Sequence, residues 1–230
     1  MRWLSLVPLA LSCLLVGSCD GTISVTFATG PQEFEVSTMA FTLPAELRDG
    51  STIASLPCGP MGMCPPSADV TLECVADVCD PAPRTVSAPV GSVIDVDVLL
   101  AETREVGLRV VDSYVFERVT YDIQLNTMTV PIDEVTVYWG PEAATSIDPA
   151  LGVRRFGTVP AIGAGQTGSG EVVIDGPGAA ELSDCLVSRS PRIRFFAQTT
   201  VDLDPGDPFP EGSVRVSVNA TVRAVGRLLD

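Results

Sequence analysis

The stretch Val115-Phe-Glu-Arg-Val-Thr-Tyr-Asp-Ile-Gln-Leu125 decides the fold class. Val115, Val119, Tyr121, Ile123 and Leu125 fall on one face of an extended chain, and Arg118, Thr120, Asp122 and Gln124 fall on the other; Glu117 alone breaks the apolar row. A period of two is the signature of a strand with one buried and one wet face. Working outward, the same period recurs at Ile23 to Phe27 and Phe34 to Phe41, two early strands separated by the turn signal Thr29-Gly30-Pro31. It recurs again at Val93 to Leu100, Asp133 to Trp139, Glu171 to Asp175, Arg192 to Val201 and Ser213 to Leu228.

The last two segments read as a closing antiparallel pair. Ile193, Phe195, Ala197, Thr199 and Val201 face in on one, and Val214, Val216, Val218, Ala220 and Val222 on the other. Strands at this spacing, divided by Gly and Pro turns, predict an all-β protein: a two-sheet antiparallel β-sandwich. One short helix is expected at Gly178 to Ser188, where Ala179, Leu182 and Leu186 recur at helical spacing. Apolar residues make up 46% of the 230 residues and charged ones only 19%, a balance that favours a packed core over disorder.

Residues 56 to 83 differ from their surroundings. Cys58, Cys64, Cys74 and Cys79 sit there among prolines, in an insertion too poor in large apolar side chains to fold by burial. Their C-x5-C-x9-C-x4-C spacing lacks the CxxC pairs of zinc ribbons, so disulfides are expected rather than a metal. Four cysteines allow three pairings. Short turn-rich loops favour Cys58–Cys64 with Cys74–Cys79, and Cys58–Cys79 with Cys64–Cys74 is the alternative. Cys185 is expected to stand outside these bridges.

The basic residues are 14 arginines against 29 acidic residues, with no histidine and no lysine. Without His there is no Ser-His-Asp or Cys-His nucleophile and no HExxH zinc site, and without Lys there is no Schiff base or P-loop lysine. The net charge of −15 repels a phosphate backbone and argues against nucleic acid as a partner. Gly163-Ala-Gly165-Gln-Thr-Gly168 spells a dinucleotide fingerprint but leads into the strand-like Glu171-Val-Val-Ile174 rather than a helix, so it reads as a hairpin loop. Asp202, Asp204, Asp207 and Glu211 crowd into one Pro/Gly-rich loop. They are weak calcium candidates, with a solvated turn as the expected state. Tyr138 and Trp139 at a strand end suggest an aromatic platform for sugar, with core and edge packing as the commoner use.

At the N-terminus, Met1-Arg2 precedes the apolar run Trp3 to Val16, too short to span a bilayer comfortably. The run ends in Leu15-Val16-Gly17-Ser18-Cys19, which resembles the lipobox of bacterial lipoproteins: an aliphatic residue, two small residues and then the cysteine. The resemblance implies that residues 1–18 are a signal peptide and that Cys19 becomes the lipid-bearing first residue. Residues 19–230 then form a single β-sandwich domain in the cell envelope, with the insertion at 56–83. Loss of Arg2 would take the charge from −15 to −16. The implied function is a non-catalytic binding or structural module needing no cofactor. Its partners would be the membrane, through the lipid, and an envelope protein or polysaccharide. The alternatives are a carbohydrate-binding or carbohydrate-cleaving protein, which includes an acid-based hydrolase, and a calcium-dependent adhesin.

Overall fold

The computed structural model describes residues 16–17, 22–37, 47–66, 70–95, 110–188 and 192–227. Two antiparallel sheets make the body. The first has the order β1 (Val16–Gly17), β2 (Thr22–Ala28), β16 (Ser213–Arg227), β10 (Val110–Asn126) and β13 (Gly168–Glu171), with β3 (Gln32–Ser37) also on β16. The second has the order β14 (Val173–Ile174), β12 (Arg154–Val159), β11 (Val135–Pro141), β15 (Arg192–Val201) and β9 (Arg84–Asp95). Two small sheets lie apart from these: β4 (Arg48–Asp49) with β5 (Thr52–Ile53), and β6 (Leu56–Pro57), β8 (Val78–Pro81) and β7 (Leu72–Val75) in that order. The all-β sandwich and its single helix among the described residues are therefore as the periodicity predicts. Of the strand expected at Val93 to Leu100, residues 96–100 lie outside the described ones, as do 38–41 of the second early strand.

Strand β10 shows why Glu117 breaks its row. Against β16 the register slips between Val111 and Ser113, between Phe116 and Arg118, and between Ile123 and Leu125. Each slip inserts one extra residue of β10, a β-bulge, and each reverses which parity of side chain faces the core. Tyr114 and Phe116 point inward before the second bulge, Val119, Tyr121 and Ile123 after it, and Asn126 after the third. Val115 and Leu125, expected in the core, are exposed at 37% and 40%. A strict period of two continues a face only while the ladder is unbroken.

Two other expectations change. Thr29-Gly30-Pro31 does not reverse the chain, because β2 and β3 run in the same direction along one edge of β16. The three residues bulge past Ala220 and Asn219, and the Thr29 amide donates to the Ala220 carbonyl at 2.9 Å. Nor do β15 and β16 pair. They lie in opposite sheets, and the acidic loop between them carries the chain across. Alternation identified the inward row of β16 and the start of that of β15, since Ile193 and Phe195 share one core with Val222 and Val218; but Phe196, on the face read as outward, is buried in a second cluster with Ala144 and Val153, and alternation does not identify hydrogen-bonding partners.

The sheets meet at both lateral edges. On one side the chain steps directly from β13 to β14 through buried Val172, whose amide donates to the Val119 carbonyl at 2.8 Å. On the other, the Phe34 ring of β3 lies over Gly91 of β9, where any Cβ would collide with the ring and where φ is +70°. Helix α1 (Gly176–Ser188) follows β14 and packs on β10 and β12. It begins two residues before the sequence-based estimate because Asp175 caps it, its Oδ2 accepting from the Gly178 amide at 3.1 Å. Leu182 and Leu186 enter the main core, the Ser183 hydroxyl accepts from the Tyr114 amide at 2.9 Å, and the Trp139 indole donates to the Gly178 carbonyl at 3.0 Å. A Cβ at Gly178 would strike the Arg155 carbonyl, so only glycine permits this helix to sit so close to β12.

Candidate functional site

The far end of the sandwich from Thr22 concentrates the chemically distinctive residues. Thr22 pairs with Arg227 at the C-terminal end of β16, whereas Ser37 pairs with Ser213 at its start. The acidic loop enters β16 at that start, and segment 51–53 is pinned to the loop. The Ile53 amide donates to the Asp207 carbonyl, the Phe209 amide to Ser51, and the Gly206 amide to Ile53. Ile53, Leu203 and Val130 form a small core beneath, with Phe209 and Val201 against it. The insertion leaves from Ala54 and returns at Arg84, which pairs with Val201, so it crowns this end.

Within the insertion, Ala76 and Asp77 both have positive φ (49° and 66°) and turn β7 back into β8. The Cys58 amide donates to the Asp77 carbonyl at 3.0 Å, and the loop from Cys58 to Cys64 is folded by Gly59 N to Met63 O at 2.8 Å and Gly62 N to Gly59 O at 3.1 Å. Two disulfides join loop to hairpin, Cys58–Cys74 and Cys64–Cys79. Neither pairing weighed from the sequence is the one formed. Cys74 and Cys79 do face each other across the β7–β8 ladder, but each bonds to the neighbouring loop. Sequence separations of 16 and 15 replace the shorter ones of the favoured scheme, and chain entropy assigns each such closure about 3 kcal/mol. Cys185 belongs to neither bridge and packs on the main core from α1.

The acidic loop is organised by its own backbone. Asp207 Oδ2 accepts from the Asp204 amide at 3.0 Å, and Glu211 pairs with Arg48 at 2.6 Å while the Arg48 guanidinium stacks over Phe209 at 4.7 Å. Asp202 and Asp204 are exposed. Among the described residues, the one group of three side chains close enough to share an ion is Cys58, Cys64 and Cys79, not the four loop carboxylates. Sequence reasoning missed Asp80 of β8. Its Oδ1 is buried without a hydrogen-bond partner. Burial first, then the charges of Asp204, Asp202, Glu73 and Asp207, push its carboxyl above the usual aspartate range. No sequence signal places residue 80 beside residues 202–207, because that contact exists only after the insertion folds back.

Other candidates resolve into structure. Trp139 is buried in the core, and Tyr138 is half-buried with its hydroxyl 3.2 Å from Gln198 Oε1, so these two residues do not form an exposed sugar platform. The glycine-rich run ends in β13 and is latched by buried Asn126, whose amide donates to the carbonyls of Gly163 and Gln166 at 3.1 and 3.0 Å. Cys19 lies outside the described residues. Among those described, no helix is long and apolar enough to cross a membrane.

Fold and site together define an antiparallel β-sandwich bearing a disulfide-built appendage. No protein-family model matches the chain, and no curated protein matches it. Among solved structures it is similar to a chain of Desmodium yellow mottle tymovirus, at 10% identity over 100% of this chain and 98% of that one, with a TM-score of 0.28. A chain of Mud crab tombus-like virus is 12% identical, with 100% and 92% covered and a TM-score of 0.30. A chain of infectious bursal disease virus Gx strain is 12% identical, with 94% and 62% covered and a TM-score of 0.31. Similarity at this level carries no argument about function.

Proposed function

We propose that the protein is a lipid-anchored module of the bacterial cell envelope that binds or scaffolds a partner without catalysis. The observation that carries this reading is the lipobox-like run Leu15 to Cys19, and the opposition of the two ends of the sandwich says what such an anchor would display. Thr22, three residues after the lipobox-like cysteine in the sequence, pairs with Arg227 at the C-terminal end of β16, and the insertion lies past Ser213, at the other. A strand of 15 residues separates them, roughly 50 Å at about 3.3 Å per residue. A lipid on Cys19 therefore holds one end at the membrane and displays the cysteine-rich end away from it. Two or more acyl chains on such a residue anchor stably where one is marginal. Processing there also removes β1, which pairs with Ile23 and Ser24, and opens that edge of β2.

The non-catalytic part of the reading is supported by the lack of His and Lys and by the failed context of the glycine-rich motif. The test is mass spectrometry of the native N-terminus together with fractionation of Cys19→Ser. An acylated Cys19, and a variant that leaves the membrane fraction, are the expected results. An unmodified N-terminus in the native protein overturns the anchor. Turnover of ester, peptide or glycoside substrates abolished by a single Asp or Glu substitution overturns the rest.

A further inference from the structure

The two bridges of the insertion are not separate staples. The sulfurs of Cys58, Cys64 and Cys79 lie within 4.8 Å of one another, and the fourth, Cys74 Sγ, is bonded to Cys58 Sγ. Cys74 Sγ falls outside that group of three, so the cluster proper is Cys58, Cys64 and Cys79, drawn from a loop and a two-stranded hairpin, with Cys74 at its rim. A tetrahedral Zn²⁺ site with four thiolates at about 2.3 Å places its sulfurs about 3.8 Å apart. We propose that, when both bridges are reduced, this cluster is a site for one thiophilic divalent cation, Zn²⁺, bound by Cys58, Cys64, Cys74 and Cys79.

Three observations support the site independently of the bridges. The loop is tied to the hairpin by the Cys58 N to Asp77 O hydrogen bond and folded on itself by the turn bonds at Gly59 and Gly62, none of which is a disulfide. The β6–β8 and β7–β8 ladders likewise need no disulfide. Cys79 is fully buried while Cys74 is exposed, so the cluster has a closed floor and an open mouth. A bound cation deprotonates the thiols that ligate it. The reaction balances with a dithiol as reductant: each bridge takes up two electrons and two protons while the dithiol becomes its own disulfide. The four thiols then release protons as the cation binds. The inference does not depend on the lipid anchor.

The experiment uses the full chain carrying Cys13→Ser, Cys19→Ser and Cys185→Ser, so that only the four insertion cysteines remain. After anaerobic reduction it is titrated with Co²⁺ alone and then Zn²⁺ alone. The expected result is one equivalent of Co²⁺ with thiolate charge-transfer and tetrahedral d–d bands, displaced one-for-one by Zn²⁺. The disulfide form should give no bands, and adding Cys64→Ser with Cys79→Ser should remove them from the reduced form. Absence of the bands in the reduced chain, or their persistence in that variant, overturns the proposal. If reduction loosens the insertion, Zn²⁺ must restore amide-exchange protection in residues 56–81, and failure to restore it overturns the proposal equally.

Discussion

The sandwich body and the insertion solve the same problem by different physics. In the body, Leu182 and Phe196 are 0% and 2% exposed, and Phe156 meets Phe116 and Phe195 edge-on, with ring centroids 5.4 and 5.7 Å apart. In the insertion, Met61, Met63 and Val75 are 89%, 57% and 52% exposed, and its tight turns use positive φ at Met61, Ala76 and Asp77. Burial holds the first, whereas the second has too little apolar surface to bury and relies on covalent closure. The difference teaches where each region is fragile: the body to lost volume, the insertion to lost bonds.

The largest expected effect tests the body. Phe156→Ala removes the ring that joins β12 to both β10 and β15, and should cost about 3–5 kcal/mol in denaturant unfolding with an unchanged slope. Met61→Ala should change stability by less than about 0.5 kcal/mol. Equal losses from the two would break the comparison.

Next in size is the insertion. Removing one bridge with Cys58→Ser and Cys74→Ser should forfeit at most about 3 kcal/mol. The loss should be local: hydrogen exchange should quicken at residues 56–81 and stay slow in β10, β11 and β15. If exchange rises equally in those strands, the two regions unfold as one unit and the contrast is false.

The same contrast explains what could be read in advance. The alternation in β16 identified its inward face, and leucines at helical spacing marked α1, because both signals are local; in β15 it found Ile193 and Phe195 but missed Phe196, buried on the other face with Ala144 and Val153. The bulges of β10 were visible only as the misplaced Glu117, since a bulge is a relation between two strands. Sheet membership of β15 and β16, the pairing of the four cysteines and the approach of Asp80 to the acidic loop depend on contacts between residues far apart in the chain. Local pattern carries no information about them.

Electrostatics at the two ends provides the smaller effects. Asp80 sits among carboxylates with a buried unpartnered oxygen, and its pKa in the folded chain is raised, so its charged form destabilises the native state. The native state is therefore relatively penalised above that raised pKa and recovers as pH falls through it. Asp80→Asn should raise Tm by a degree or so at pH 7, and the advantage should shrink as acid neutralises the wild-type carboxyl. A lower Tm for the variant at pH 7 would show that Asp80 has a cationic partner.

The smallest effect belongs to the opposite end, where Arg227 donates to Asp112 through Nε at 3.1 Å and Nη2 at 2.9 Å. That hydrogen bond, more than the Coulomb attraction, holds the Asp112 carboxyl below the usual aspartate range. The sign is opposite to that of Asp80: the pair favours the native state above the ordinary carboxylate pKa, and the advantage is lost as pH falls through the lowered one. Both side chains are in water, however, at 62% and 38% exposure, on an outer sheet face that also carries Arg223–Glu117, Arg118–Glu171 and Arg215–Glu35. Exposed pairs of this kind gain little, because solvent and salt screen them and two long side chains must be ordered. Arg227→Gln should therefore leave Tm unchanged within error at about 0.15 M salt, where the Debye length is about 8 Å, with a small decrease emerging only at low ionic strength. The Asp80→Asn gain, arising beside a buried oxygen, should persist at that salt. A clear loss from Arg227→Gln under the same conditions would mean that the outer charge ladder acts as a network, and would make that face, rather than the insertion, the more electrostatically sensitive end of the molecule.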